Sequence, residues 1–286
     1  MTRIGNAERL KVLEYGGTGR SGKGTIVGHL AENHKGVSSD ETGADYRAVT
    51  RHLLARGIIR TTMSPEEISD RTRDVGVEGL AKIVADRKRI VAEHTFESLY
   101  EDDVSRTVHS VSREPRTRTA VKTGFSWRLE GFRDDDDTKV LVVDGRNLES
   151  VIEKIEGVDL IMRTFVHCTP EEAALRECAR NDVDLGTDRG RAVYEEAQER
   201  IRARNEADAS RDMDPVRVNP DALDFWRLRD SAVGAMACAT GQQIDFDTTS
   251  FRVRYPQNPR EAMLEAADEM FHDALTAAGA PLDSLH

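Results

Sequence analysis

Gly17-Thr18-Gly19-Arg20-Ser21-Gly22-Lys23-Gly24-Thr25 is a G-x-x-x-x-G-K loop, and its flanks decide how it folds. Before it, Leu10-Lys11-Val12-Leu13-Glu14-Tyr15 reads as a buried strand. After it, Ile26, Val27, Leu30 and Ala31 set a helical pattern. Strand, glycine-rich loop and helix together predict a phosphate cradle rather than a glycine-rich turn of no function. Glycines let the backbone curl until successive N–H groups face a polyphosphate, and the helix N-terminus adds partial positive charge. Lys23 is placed to reach the β- and γ-phosphates.

The pattern continues along the chain. Lys139 to Val143, Leu160 to His167 and Gln243 to Phe246 also read as strands, separated by helical patterns, which predicts a parallel α/β sheet. Ile90-Val91-Ala92 is a weaker strand candidate. Ser64-Pro65-Glu66-Glu67 and Thr169-Pro170-Glu171-Glu172 each place a hydroxyl, a proline and a glutamate as at a helix start. Gly190 to about Ser210 is a charged, solvated helix, and Arg260 to Ala278 an amphipathic closing helix. The four acids Asp134 to Asp137 read as a solvated loop, since adjacent carboxylates repel unless wrapped around an ion. The economical arrangement is a core of residues 1–41 and 134–286, with a lid at about 185–215, interrupted by an insertion at 42–133.

Composition sets limits on function. The 286 residues carry 52 acids and 41 bases, a net charge of −11, which argues against a nucleic-acid surface. Hydrophobic content is 38% and no long apolar run is present, so no membrane span is expected. Met1 to Lys11 lacks the layout of a signal peptide, and Cys168, Cys178 and Cys238 lack metal-ligand spacing. A cytoplasmic protein with reduced thiols, monomeric or weakly homo-oligomeric, is expected.

Gly24 follows Lys23, and the hydroxyl comes one place later at Thr25. In the G-K-[ST] form that hydroxyl meets Mg²⁺ directly, so a metal here leans on nucleotide oxygens and water. This spelling is similar to nucleoside-monophosphate kinases. Further motifs follow in order. Thr42-Gly43-Ala44-Asp45-Tyr46-Arg47-Ala48 resembles the D-[ST]-G-A-x-Y-R-A segment of bacterial cytidylate kinases. Asp144-Gly145-Arg146-Asn147 is similar to their D-G-R-D, and Arg204 to Arg211 to their R-D-x-x-D-x-x-R lid, with Asn205 for the first aspartate. Asp247-Thr248-Thr249 matches a D-[ST]-T, while Asp103-Val104-Ser105 and Pro115-Arg116-Thr117-Arg118 fall where the acceptor domain is expected.

The resemblance implies a three-layer P-loop NTPase fold with a central parallel sheet, an inserted nucleoside-monophosphate-binding domain at 42–133 and a mobile helical lid. It implies ATP and Mg²⁺ as cofactors, a small-molecule nucleotide acceptor, most simply CMP or dCMP, and a kinase activity. Gly17, Thr18, Gly19, Arg20, Ser21, Gly22, Lys23, Gly24 and Thr25 would hold the donor, and Arg176 either lies against adenine or makes a surface salt bridge. Lys23, Arg146, Arg204 and Arg211 would neutralise the transferring phosphoryl group, which suits arginine because its fork meets phosphate in a bidentate way. Thr42 and Arg47 would meet the acceptor's phosphate side, Arg118 its base, and Asp208 its sugar or the lid arginines. Asp144 would hold a Mg²⁺-bound water, or serve structure alone.

Three departures bear on the acceptor. Glu41 stands where the family has aspartate, Asn147 replaces the second aspartate of D-G-R-D, and His109 falls where the family offers a small hydroxyl to cytosine. Arg20 replaces a frequent glycine, and Pro215 to Gly241 is extra sequence that would cap the sheet or form a partner surface. Two other readings fit the cradle: a kinase of some other metabolite's alcohol, with Asp40 or Glu41 as base, or a nucleotide-binding regulatory protein without turnover.

Overall fold

The computed structural model describes residues 9–95, 97–145, 148–210 and 216–280. The chain opens with β1 (Leu10–Gly17), α1 (Lys23–Asn33), β2 (Val37–Glu41), α2 (Thr42–Ala55), α3 (Pro65–Ala85) and α4 (Arg87–His94). A 3-10 turn at Glu97–Tyr100 leads into α5 (Asp102–Arg113), α6 (Pro115–Arg133), β3 (Val140–Asp144) and α7 (Glu149–Ile152). Then come β4 (Val158–His167), α8 (Pro170–Arg180), α9 (Asp188–Ala209), β5 (Leu223–Asp224) and α10 (Phe225–Leu228). After a 3-10 turn at Arg229–Ser231 the chain ends with α11 (Val233–Thr240), β6 (Gln243–Asp247), α12 (Thr249–Arg254) and α13 (Pro259–Ala277).

Two compact units result. Glu41–Asp136 and Leu148–Val158 make one, and the other described residues make the sheet unit. The sheet has six parallel strands in the order β2-β3-β1-β4-β6-β5. Val12, Leu13, Val140, Leu141, Val142 and Val143 are wholly buried, as central strands covered on both faces require. β1 lies between β3 and β4 and delivers its chain to α1, so the glycine loop emerges at the carboxyl end of the sheet, where strand order turns back on itself. Ile26, Val27 and Leu30 bury the inner face of α1, and Ala266, Ala267, Met270 and Phe271 that of α13. Each large apolar side chain so buried contributes about 1.5–3 kcal/mol before entropy is counted.

The other unit is helical. Leu80, Ala81 and Val84 of α3 meet Ala120 and Val121 of α6, Val49 and Leu53 of α2 and Val111 of α5. Ser64 accepts from the Glu67 amide and the Glu67 carboxylate accepts from the Ser64 amide, the capping box that the sequence there predicts. At Gly76, φ is +76° and ψ is 162°, which breaks α3 into two helical pieces.

One expectation about strands is corrected, and one strand is added. Ile90-Val91 is part of α4, with Ile90 buried against Ala44, Ala48 and Leu99, so its apolar character serves one helix face. β2 escapes a hydrophobicity reading because Val37-Ser38-Ser39-Asp40-Glu41 has one large apolar residue. An edge strand tolerates that, and Ser38 Oγ and Thr138 Oγ1 hydrogen-bond at 2.8 Å beside it. The extra sequence within 216–241 forms the opposite edge. β5 pairs with β6, Phe225 packs edge-on to Phe246, and α11 packs along α13. Among the described residues no helix is long and apolar enough to cross a membrane.

A Cβ added at Gly124 of α6 would sit 2.4 Å from Val84 Cγ1 and 3.0 Å from the Ala81 carbonyl oxygen, whereas at Gly131 nothing lies within 4 Å. Gly124→Ala is therefore expected to lower unfolding free energy by about 1–3 kcal/mol through overpacking. Gly131→Ala should leave it unchanged or raise it by up to about 1 kcal/mol. Urea denaturation of the two variants checks this.

Candidate active site

The donor loop is shaped by contacts that only glycine permits. At Gly17 φ is +131°, and a Cβ there would fall 1.8 Å from the Val166 carbonyl oxygen of β4. That same carbonyl accepts the Thr18 amide at 3.1 Å. The chain then turns through Arg20 at φ +62° and Gly22 at φ +99°. Ser21 Oγ and Lys23 Nζ both donate to the Thr18 carbonyl, at 2.9 and 2.8 Å, and Lys23 Nζ lies 4.0 Å from Asp144 Oδ1 at the end of β3. Gly24 and Thr25, which open α1, are exposed.

The start of α1 differs chemically from those of α3, α8 and α9. Ser64, Thr169 and Thr187 cap α3, α8 and α9 with side-chain oxygens. At α1 the N-cap is Gly22, no side chain caps it, and no acid lies in its first turn. An uncapped helix N-terminus with a lysine beside it suits an anion. Thr18 Oγ1 is buried without a hydrogen-bond partner, a second polar group in the loop that a phosphate oxygen would satisfy.

Charged side chains surround this loop. Arg204 of α9 approaches Gly19, its Nη1 lying 3.5 Å from where a Gly19 Cβ would stand, and its Nε is 3.8 Å from the buried Asp208 carboxylate. Arg20 pairs with Glu177 of α8 at 3.3 Å, and Arg200 of α9 pairs with the same acid. Burial pushes the Glu177 carboxyl up, but the hydrogen bonds and charges of Arg200 and Arg20 outweigh it and hold the group below the usual carboxylate range. Arg176 of α8 forms a salt bridge to Glu172 at 2.8 Å.

On the helical unit, Glu41 precedes α2 and Thr42 is its first, buried residue. Arg47 donates to the Leu99 carbonyl and to Ser105 Oγ, and its guanidinium lies 4.5 Å from the centre of the Tyr100 ring. The Tyr100 hydroxyl donates to the Glu41 carboxylate at 3.2 Å. Asp45, wholly buried, is bound by Arg87 at 2.8 Å and Arg128 at 2.7 Å, and Arg87 also donates to the Glu41 carbonyl. Arg118 donates to the carbonyls of Ser112 and Arg113 at the end of α5, and half-buried His109 lies one turn earlier on α5. Thus Glu41, Thr42 and Arg47 cluster on this unit, with Tyr100, Arg87 and Arg128 added by the structure. An acid on the buried face of α2 was the sequence signal for the arginine pair, because a buried carboxylate demands cations. Tyr100 carried no such signal. The expectations at Arg146, Asn147 and Arg211 lie outside the described residues.

The cytidylate kinase family matches residues 16–228. The chain belongs to the cytidylate kinase family. It is 27% identical over 218 residues to a cytidylate kinase of Parabacteroides distasonis, covering 74% of this chain and 87% of the relative. A cytidylate kinase of Caldanaerobacter subterraneus subsp. tengcongensis is 28% identical over 210 residues, or 72% and 83% of the two chains. One from Neisseria meningitidis is 26% identical over 215 residues, or 75% and 88%. The matched span takes in the donor loop, α2, β3 and α9, and stops before α11, β6, α12 and α13.

Two outcomes follow from this geometry. Gly17→Ala should destabilise the protein by more than about 2 kcal/mol, since it adds backbone strain to a direct clash. Gly28→Ala on α1, where nothing lies within 4 Å, should be neutral or stabilising. Thermal melts of the pair check this. Separately, His167 Nε2 lies 2.7 Å from Asp245 Oδ1 across β4 and β6. Burial pulls the His167 pKa down, but the hydrogen bond and charge of Asp245 outweigh it and raise it above the ordinary value of 6.5. A raised histidine contributes stability that is complete below the unfolded-state value and lost as pH climbs through the folded one. Stability should therefore fall by less than about 1 kcal/mol from pH 6 to alkaline pH. His167→Asn should abolish that slope in urea titrations.

Proposed function

We propose that the chain transfers the γ-phosphoryl group of ATP to the phosphate of CMP or dCMP, giving ADP and the cytidine diphosphate. The observation that carries this reading is the uncapped N-terminus of α1 behind the Gly17–Thr25 loop, with Lys23 folded across it, in a chain of the cytidylate kinase family. The family favours a phosphate acceptor over an alcohol. An ionised phosphate needs no general base, so the protein's task is alignment and charge neutralisation. An acceptor oxygen bonds to the γ-phosphorus as the bond to the β,γ-bridging oxygen breaks, and ADP leaves with that electron pair.

The loop amides and Lys23 bind the donor's phosphates in this reading. Arg204, with Arg146 and Arg211 from the family's motifs, neutralises the transferring group, and Asp208 orients Arg204 through their 3.8 Å contact. Thr42 and Arg47 hold the acceptor's phosphate, while Arg118, His109, Glu41 and Asn147 meet its base and sugar. The unit containing 42–133 is accordingly the acceptor-binding part. Asp144 is a single carboxylate beside Lys23, and a Cβ built at Gly24 would stand 4.0 Å from its Oδ2. Such a site fits a hydrated Mg²⁺ held mainly by nucleotide oxygens, which would supply charge neutralisation on the phosphates. The expected setting is the cytoplasm, where nucleotides are the partners, with no nucleic acid involved.

Incubation with Mg²⁺-ATP and a panel of nucleoside and deoxynucleoside monophosphates, following ADP release, tests this. CMP or dCMP should give the fastest turnover, and Lys23→Ala should cut kcat by about 10²-fold or more, as loss of a transition-state charge contact does. Tight ATP binding without turnover on any monophosphate would overturn it. His109→Ser should lower KM for CMP, and unchanged kinetics would remove His109 from the base site.

A further inference from the structure

The most densely bonded arginine near the donor loop is Arg176, and its bonds go to protein. Its Nε donates to Glu172 Oε1 at 2.8 Å. One Nη1 donates both to the Arg20 carbonyl at 3.2 Å and to Thr248 Oγ1 at 3.1 Å, and Nη2 donates to the Thr248 carbonyl at 3.2 Å. Four of the five N–H groups of the guanidinium are thereby committed. A Cβ built at Gly22 would lie 3.7 Å from Nη1, so this head sits directly beneath the turn that opens α1.

Thr248, which follows β6, completes the arrangement. It is wholly buried, and its amide donates to the His167 carbonyl at 2.8 Å. Its hydroxyl reaches the Ser21 carbonyl at 2.8 Å and the His167 carbonyl at 3.0 Å while accepting from Arg176. Its single proton is shared between the two carbonyls, and one of its lone pairs accepts from Arg176. Successive carbonyls of the donor loop, Arg20 and Ser21, are thus held from below, one by the guanidinium and one by the hydroxyl. Carbonyls so held point away from the concave side, which leaves the amides of the same peptide planes facing into the cradle.

We propose that Arg176 and Thr248 are positioning residues that preorganise the donor loop for polyphosphate, acting on the phosphates alone and not on the base. This rests on the proposed binding of ATP in that loop. Glu172 fixes the guanidinium from the far side and is itself bound by Arg252 at 2.6 Å, so removing Arg176 leaves no buried acid unpaired. That makes Arg176→Met a variant expected to fold.

The test is calorimetric titration with two probes, ATP and inorganic tripolyphosphate, each with Mg²⁺, on the full chain. Arg176→Met and Thr248→Val should each weaken both probes by the same factor, about tenfold, as loss of a buried hydrogen-bonding partner does. Thr248→Ser, which keeps the hydroxyl, should restore wild-type affinity for both. KM for ATP should rise in the two weakened variants with KM for CMP unchanged. If Arg176→Met weakens ATP and leaves tripolyphosphate unchanged, Arg176 contacts the base and the proposal is overturned. Equal affinities in wild type and Thr248→Val overturn it too, provided melts show both folded. A wild-type protein that binds neither probe would instead sink the donor-site reading itself. A wild type that binds both but phosphorylates no monophosphate would remove only the acceptor assignment.

Discussion

Everything at the donor site depends on the crossing of Gly17 over the end of β4. The backbone there passes so close to the Val166 carbonyl that a side chain has no room, and the next amide turns the proximity into a hydrogen bond. β4 then offers a second terminal carbonyl, that of His167, to Thr248. One strand end therefore anchors the loop on one side and the β6–α12 turn on the other. Because both anchors are main-chain atoms of a central strand, the loop inherits the rigidity of the sheet, and an anion site built from backbone amides needs that rigidity.

A second regularity concerns charge. The chain is acidic overall, yet two buried carboxylates and one partly buried one are each bound by two arginines. Asp45 takes Arg87 and Arg128, Glu172 takes Arg176 and Arg252, and Glu177 takes Arg20 and Arg200. A carboxylate has two oxygens and accepts two forks, so each such cluster satisfies its acid and keeps one net positive charge. Two of the clusters belong to α8 and lie beside the donor loop, where an acidic protein must otherwise repel a polyphosphate. The third stands behind the first turn of α2.

Some of this was legible in residue order. The strand at Leu10, the capped starts at Ser64 and Thr169 and the closing helix at Pro259 follow from periodicity and capping chemistry, which act within a few residues. β2 was not legible, because its polar run becomes a strand only through the edge it adds to β3. Ile90 misled for the opposite reason: a short apolar run fits strand or helix equally, and burial of Ile90 against α2 and Leu99 settled it as helix. The extra sequence before β6 offered two uses, and Phe225 packed among Phe246 and Phe251 shows that it seals the sheet.

By itself, then, the order of residues determined the cradle: glycines at 17 and 22, a lysine at 23, a strand before and a helix after, all local relations along the chain. It also determined the family, through motifs whose sequence of appearance survives wide divergence. Only the tertiary structure decided which side chains support the cradle. Thr248 lies 227 residues from Ser21, and Arg176 lies 156 from Arg20. Contacts across such separations arise from strand order in the sheet, which no local pattern encodes, and they turn a loop that can bind phosphate into one already shaped to do so.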